Sequence, residues 1–248
     1  MARKLISPVL LVILWQIAST SGWINPLIAP PPTTVLADLL HLITSGELAV
    51  ALAATFKRIL VGFGLAIAIS VTLGTLMARV RLVEDFFDPL VELIRPVSPL
   101  AIFPLAILWF GIGDASKIFL ITLSCSFPII LATYAGVRSV DISLIRAARS
   151  LGANPWEIMT RVVVPGSLPQ IVTGVRISWG IALIVIIASE MIGATEGLGY
   201  LVLQAQQTFR VERVFGGIVI IGLLGFLTDQ LLRKFSRWLL PWQREARD

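Results

Sequence analysis

The chain of 248 residues has one cysteine (Cys125), one histidine (His41) and only 14% charged residues, against the roughly 25% of a soluble domain. A lone thiol excludes a disulfide framework, and one Cys with one His leaves too few ligands for a Cys/His metal site. A phosphate-cradling P-loop needs lysine after glycine, and none of Lys4, Lys57, Lys117 or Lys234 follows one. What is abundant is apolar: 56% hydrophobic residues and a mean hydropathy of +0.90. A soluble core of this size cannot bury that much apolar surface, so lipid is the expected solvent. Intrinsic disorder, a fibrous architecture and nucleic-acid binding through the net charge of +5 are excluded with it.

A membrane-spanning helix needs about 20 apolar residues, because its backbone polar groups must pair within the segment. Stretches near 5–21, 59–79, 89–110, 117–137, 169–192 and 213–234 meet that requirement. The first, with Arg3-Lys4 ahead of it and Ala18-Ser19-Thr20 behind, resembles a signal peptide. With five spans to follow, a retained anchor is the simpler expectation. Cytoplasmic loops carry the excess of Lys and Arg. An inner N-terminus puts thirteen of the twenty basic residues inside, Arg244 and Arg247 included, and leaves Lys57, Arg58, Lys117, Arg210 and Arg213 outside, with Arg95 and Arg176 within or at the ends of spans. Both termini are then cytoplasmic. Pro30-Pro31-Pro32 predicts a stiff extended element, with Thr33-Thr34 capping a short helix on the outer surface, and a helical pattern runs almost unbroken from Glu47 to Arg79.

Gly62, Ala66, Ser70, Gly74 and Ala78 form a small-residue stripe in the second span, and Ser124, Pro128, Ala132 and Gly136 form another in the fourth. Such stripes let helices approach closely, and helix packing is their ordinary role. The third span contains Pro96, Pro99 and Pro104 and ends at Gly111 and Gly113, which makes it a candidate wall for a cavity that changes shape. Glu190 lies near the outer end of the fifth span. An acid at that depth is either a pathway or gate residue, or an interfacial acid paired with Arg210 or Arg213.

The loop 138–168 carries helix signals with no membrane to serve. Asp141 should cap a helix through Leu151, Gly152 should stop it, and Asn154-Pro155-Trp156-Glu157 matches a capping box opening a second helix. Pro165-Gly166 and Pro169 are expected to end that helix. Two short helices meeting at a glycine make a rigid elbow.

Arg146-Ala147-Ala148, Gly152-Ala153, Pro165 and Pro169 resemble the EAA loop of binding-protein-dependent ABC importer permeases, except that Arg146 stands where the motif has Glu. Arg95-Pro96-Val97-Ser98-Pro99, Trp109-Phe110-Gly111-Ile112-Gly113, Ser116-Lys117-Ile118, Glu190 and Gly197-Leu198-Gly199 are similar to the nitrate/sulfonate/taurine branch, and to taurine-type permeases above all. The resemblance implies an all-α membrane protein of about six transmembrane helices with the type I importer (MetI-like) fold: an N-terminal anchor and extracytoplasmic segment over 1–58, a core over 59–234 and a tail over 235–248. It also implies a second permease copy, two cytoplasmic ATPase subunits carrying ATP and magnesium, an extracytoplasmic solute-binding protein, surrounding membrane lipid, no nucleic acid, and no cofactor on this chain. The elbow would be the coupling helix, contacting the ATPase through Arg146, Ala147, Ala148, Gly152, Ala153, Trp156, Ile158, Met159 and Pro165. The substrate, a small anion, would pass between two permease copies, with Ser98, Ser124, Ser126, Ser178 and Glu190 as polar candidates for the path. Each serine also has the option of bonding back to its own helix. An ion-coupled secondary transporter would show midplane acids or internal repeats, and an intramembrane enzyme a nucleophile with its base; the sequence has neither pattern.

Overall fold

The computed structural model describes residues 2–241. Arg244 and Arg247, and the side chains of Arg3 and Lys4, lie outside the described residues. The described chain is helical throughout: α1 (Ala2–Thr20), α2 (Pro32–Thr44), α3 (Glu47–Arg79), α4 (Arg81–Ile94), α5 (Pro99–Phe110), α6 (Asp114–Arg138), α7 (Ile142–Ser150), α8 (Pro155–Ile158), α9 (Val164–Gly193), α10 (Leu198–Gln207) and α11 (Val211–Leu239). A π-helical turn, Met159–Val163, joins α8 to α9. Two compact units share these helices, residues 1–57 with 187–224 and residues 58–186 with 225–248.

Among the described residues, four helices are long and apolar enough to cross a membrane: Glu47–Arg79, Asp114–Arg138, Pro155–Gly193 and Val211–Leu239. A fifth span is reached if the bent pair α4–α5 counts as one, against the about six that the sequence predicts. Within α1 the described side chains give an apolar stretch over Leu10–Thr20, and the third span is broken into α4 and α5 at an angle of 105°. Pro96 and Pro99 remove two backbone donors in that break, and Ser98 between them is extended (φ −62°, ψ 127°). Pro104, by contrast, stays inside α5 without interrupting it. At the outer helix, Pro31 occupies the cap position and neither threonine caps α2; Thr34 Oγ1 instead donates to the Pro31 carbonyl at 2.8 Å.

In the larger unit the two small-residue stripes do what small residues do in membranes. A Cβ on Gly62 would stand 2.9 Å from Ile121 Cβ, and one on Gly74 would stand 2.8 Å from the Ile130 carbonyl, so α3 lies directly on α6. The second stripe receives α9, where a Cβ on Gly174 would come within 2.4 Å of Ala132 Cβ. Lipid tails are as apolar as leucine, so this close approach and the hydrogen bonds it admits, not hydrophobic transfer, hold the helices together. Thr122 Oγ1 donates across it to the Gly62 carbonyl at 3.0 Å.

Two cations assigned to the outer surface are buried instead. Arg58 pairs with Asp114 in the first turn of α6 (Nε to Oδ1, 2.7 Å), and Lys117 Nζ donates to the Gly113 carbonyl at 2.9 Å. Each finds a partner at the start of α6, which is what a buried charge requires.

Candidate functional site: an exposed elbow and a buried carboxylate clamp

The elbow forms as its local chemistry dictates. Asp141 caps α7, accepting the Ser143 N–H at 2.8 Å. That N–H first, and then the Ser143 hydroxyl, hold the Asp141 carboxyl below the usual carboxylate range. At the other end Gly152 takes φ +84°, its N–H reaches the Arg149 carbonyl at 3.0 Å, and the Ala153 N–H reaches that of Ala148 at 3.1 Å. This paired pattern is the Schellman closure of a helix. The chain reopens at Asn154, whose Oδ1 accepts the Glu157 N–H at 2.9 Å while Glu157 Oε2 accepts the Asn154 N–H at 3.0 Å.

Val137, Ile158 and Val163 form the core under the elbow, with Ala78, Val140, Ile145, Ala148, Ala153 and Met159 packed against it. Ile158 therefore holds the elbow down, and it is not part of an outer docking face as expected; Met159 is half-buried beside it. What the elbow presents outward is Leu151, 88% exposed, Trp156, 74% exposed, and Ile142 and Leu144. Packing of Trp156 against its own loop is thereby excluded. Arg146, Ala147 and Gly152 are exposed as well, and Pro165 is half-buried in a cleft of about 420 Å³ with Leu144, Arg161, Val162 and Gly166. A second cleft of about 440 Å³ separates Arg79, Ile145 and Arg149 from Pro155 and Met159.

Pro165-Gly166 and Pro169 do not end the second helix. The helix continues from Pro155 to Gly193, through the π turn in which the Val164 N–H bonds to the Met159 carbonyl. A proline lacks the N–H for a carbonyl one turn back and crowds it. The wider π turn directly ahead of Pro165 relieves that crowding, so the elbow and a membrane-length helix become one continuous rod.

The smaller unit contains the other candidate. Glu190 and Thr55 are both fully buried. Thr55 Oγ1 donates to the carboxylate at 2.9 and 3.0 Å from its two oxygens and accepts the Leu198 N–H at 3.0 Å; Glu190 Oε2 accepts the Gly199 N–H at 3.0 Å. The carboxylate thus sits on the first turn of α10, where free N–H groups and the helix dipole favour an anion. Gly197, at φ +128°, and Gly199 make room for it: a Cβ would fall 2.4 Å from Glu190 Cδ at the first and 2.3 Å from the Ile187 carbonyl at the second. Arg213 is engaged elsewhere in this unit, 3.0 Å from Glu47 and 3.5 Å from Asp38.

The serines proposed for a polar path are dispersed. Ser98 is exposed at the α4–α5 break. Ser124 and Ser126 are buried and donate to the carbonyls one turn back, Leu120 at 2.6 Å and Thr122 at 2.7 Å, while buried Ser178 donates to the Cys125 carbonyl at 3.1 Å. Those three hydroxyls are satisfied within the helix bundle. Sequence reasoning missed Thr55 altogether, since a threonine in an apolar helix carries no local sign of its partner.

Residues 66–240 match the family described as "Binding-protein-dependent transport system inner membrane component". Among curated proteins, the chain is 40% identical to the taurine transport system permease protein TauC of Escherichia coli (strain K12), over 96% of this chain and 88% of the relative. It is 35% identical to a putative aliphatic sulfonates transport permease protein, SsuC of Bacillus subtilis (strain 168), over 97% and 87%. Among solved structures, a chain of the MetNI methionine ABC transporter in an inward-facing crystal form matches with a TM-score of 0.67 at 19% identity, covering 79% of this chain and 97% of that one. The last is a likeness of fold.

Proposed function

Because this chain belongs to the family of binding-protein-dependent transport system inner membrane components, and is therefore a multi-pass permease of the inner membrane, we propose that it carries a small sulfonate, taurine foremost. The observation that supports the substrate is end-to-end similarity to taurine and aliphatic sulfonate permeases. In this reading the permease works as a pair of identical copies with both termini cytoplasmic. ATP and magnesium bind to two separate ATPase subunits, and a solute-binding protein delivers the sulfonate from outside.

The elbow is the input. Trp156 and Leu151, exposed apolar side chains flanked by Arg146 and Arg149, suit docking into a partner groove, where buried aromatics dominate binding. Ala147, Ala148, Gly152, Ala153 and Pro165 fix its shape, with Ile158 and Met159 as the internal hinge packing. Closure of the ATPases would push α8, and the unbroken helix to Gly193 would carry the push across the membrane. Glu190 lies at the far end of that helix, where it holds the start of α10. Its role is to position an outer gate, since a fixed carboxylate would repel a sulfonate. Ser98 is the best-placed serine for the path; Ser124, Ser126 and Ser178 would join it only if the bundle repacked.

The test is uptake of labelled taurine, another alkanesulfonate, nitrate and bicarbonate in cells co-expressing the permease, its ATPase and its binding protein. Saturable, ATP-dependent sulfonate uptake is expected. Uptake of nitrate or bicarbonate without sulfonate uptake would overturn the substrate, and uptake that persists without the ATPase would overturn the mechanism.

A further inference from the structure

The cleft of about 440 Å³ between the elbow and the end of α3 has no part in the transport cycle. Three elements meet there, each with one face. The last residue of α3 gives Arg79, α7 gives Ile145 and Arg149 one turn apart, and α8 with the π turn after it gives Pro155, Ile158 and Met159. Spacings of three and four residues keep those side chains together on their helices. Ala78, next to Arg79, packs on the same core as Ile145, Ile158 and Met159, so the floor of the cleft is the elbow's own packing and not a stripe turned to lipid.

The lining holds two guanidiniums and no acid that would face them. Among the described residues neither Arg79 nor Arg149 has an ion pair. The first acid after Arg79 and the acids on either side of Arg149 are engaged elsewhere: Glu84 with Arg138, Asp141 with the Ser143 N–H and Glu157 with the Asn154 N–H. Guanidinium forks match the oxygens of a carboxylate, phosphate or sulfonate. Apolar walls with a few convergent polar groups are the make-up of a small-molecule site. A bare inorganic ion would leave the apolar floor unused, and a two-chain lipid would need an apolar path leading out of the cleft.

We propose that Arg79 and Arg149 form a binding site for a small organic oxyanion, an aliphatic sulfonate with its charged group on the two guanidiniums and its chain on Ile145, Ile158 and Met159. An anion held there ties the elbow to the end of α3 and so resists the displacement that the ATPases impose. The choice of a sulfonate and the braking of the elbow rest on the function proposed above; the fit of the cleft to an anion with a short chain does not.

The test is isothermal titration of the purified transporter complex, without ATP or binding protein, with butanesulfonate and methanesulfonate. Butanesulfonate should bind about tenfold more tightly, because its further methylenes reach the floor. Arg79→Gln and Arg149→Gln should each weaken it about fivefold, while Arg161→Gln, which lines the neighbouring clefts instead, leaves it unchanged. Both cleft arginines are exposed, so neither variant threatens folding. Wild-type affinity in Arg79→Gln and Arg149→Gln, or equal affinity for the two sulfonates, would overturn the site. So would an equal loss in Arg161→Gln, which would mean diffuse attraction, and displacement by phosphatidylglycerol would assign the guanidiniums to a lipid headgroup. Sulfonate bound in the cleft of a protein that takes up only nitrate would keep the site and remove the proposed solute; taurine uptake with no butanesulfonate bound would do the reverse.

Discussion

The elbow and the Glu190 clamp are both built around a capped helix start and a glycine in left-handed backbone, yet they are opposites in how they are held. The hydrogen bonds that cap the elbow's helices each span a few residues, and its outward side chains are largely exposed. The clamp joins residues 135 and 143 positions apart and is wholly buried. The difference teaches which part is a handle and which a bolt. A surface that must meet a partner is shaped locally and left bare. A device that must hold helices in place inside a membrane satisfies its polar groups inwardly, since water cannot do so.

The largest expected effect comes from drawing the bolt. Glu190→Ala strands the Thr55 hydroxyl and the Gly199 N–H and opens a cavity, at about 1–3 kcal/mol for each unpaired group, so a total of roughly 3–5 kcal/mol is expected. Thermal unfolding in detergent reads this directly. A loss below about 0.5 kcal/mol, the range of ordinary surface changes, would mean the clamp is not structural. Gly199→Ala attacks the same contact from the other side. Its Cβ would meet the Ile187 carbonyl, a backbone atom that cannot swing away, for a cost of about 1–3 kcal/mol.

Gly152→Val probes the elbow by conformation alone. A Cβ there meets no atom within 4 Å, so only the φ of +84° is penalised, at about 1–2 kcal/mol. Uptake should nevertheless fall further than stability, because the two elbow helices lose their angle. Trp156→Ala should separate the regions most cleanly. Stability stays within about 0.5 kcal/mol of wild type for a side chain so exposed, while co-purification of the ATPase and sulfonate uptake drop. A melting temperature that fell while ATPase recruitment held would turn the comparison around.

This contrast also explains what the sequence could and could not disclose. Asp141, Gly152 and the Asn154–Glu157 box were legible because each acts within its own turn, as was the unbroken run of α3. The back-bonding of Ser124 and Ser126 was likewise within reach, as an i to i−4 habit of small hydroxyls. Pro165 and Pro169 misled because a local rule was overridden locally: the π turn just before them absorbs what a regular helix would not. Partners such as Thr55 with Glu190, or Arg58 with Asp114, were not legible, since the contact depends on helix packing and not on spacing along the chain. Arg58 looked like a surface charge for the same reason.

The smallest effect belongs to the cap of α7. Asp141 accepts the Ser143 N–H, and its carboxyl is held below the usual range chiefly by that bond. With the folded pKa depressed, the cap's contribution is fully present above the unfolded value of about 3.9 and is lost as pH falls through the lower folded one. Acidification in that window should therefore loosen the first turn of α7. Hydrogen exchange at the amides of Ser143 and Leu144 is the measurement, and Asp141→Asn, which still caps without titrating, should abolish the pH dependence while keeping protection. If exchange there responds to acid equally in the Asn variant, the cap is not what orders this turn, and the local half of the comparison would need a contact from further along the chain.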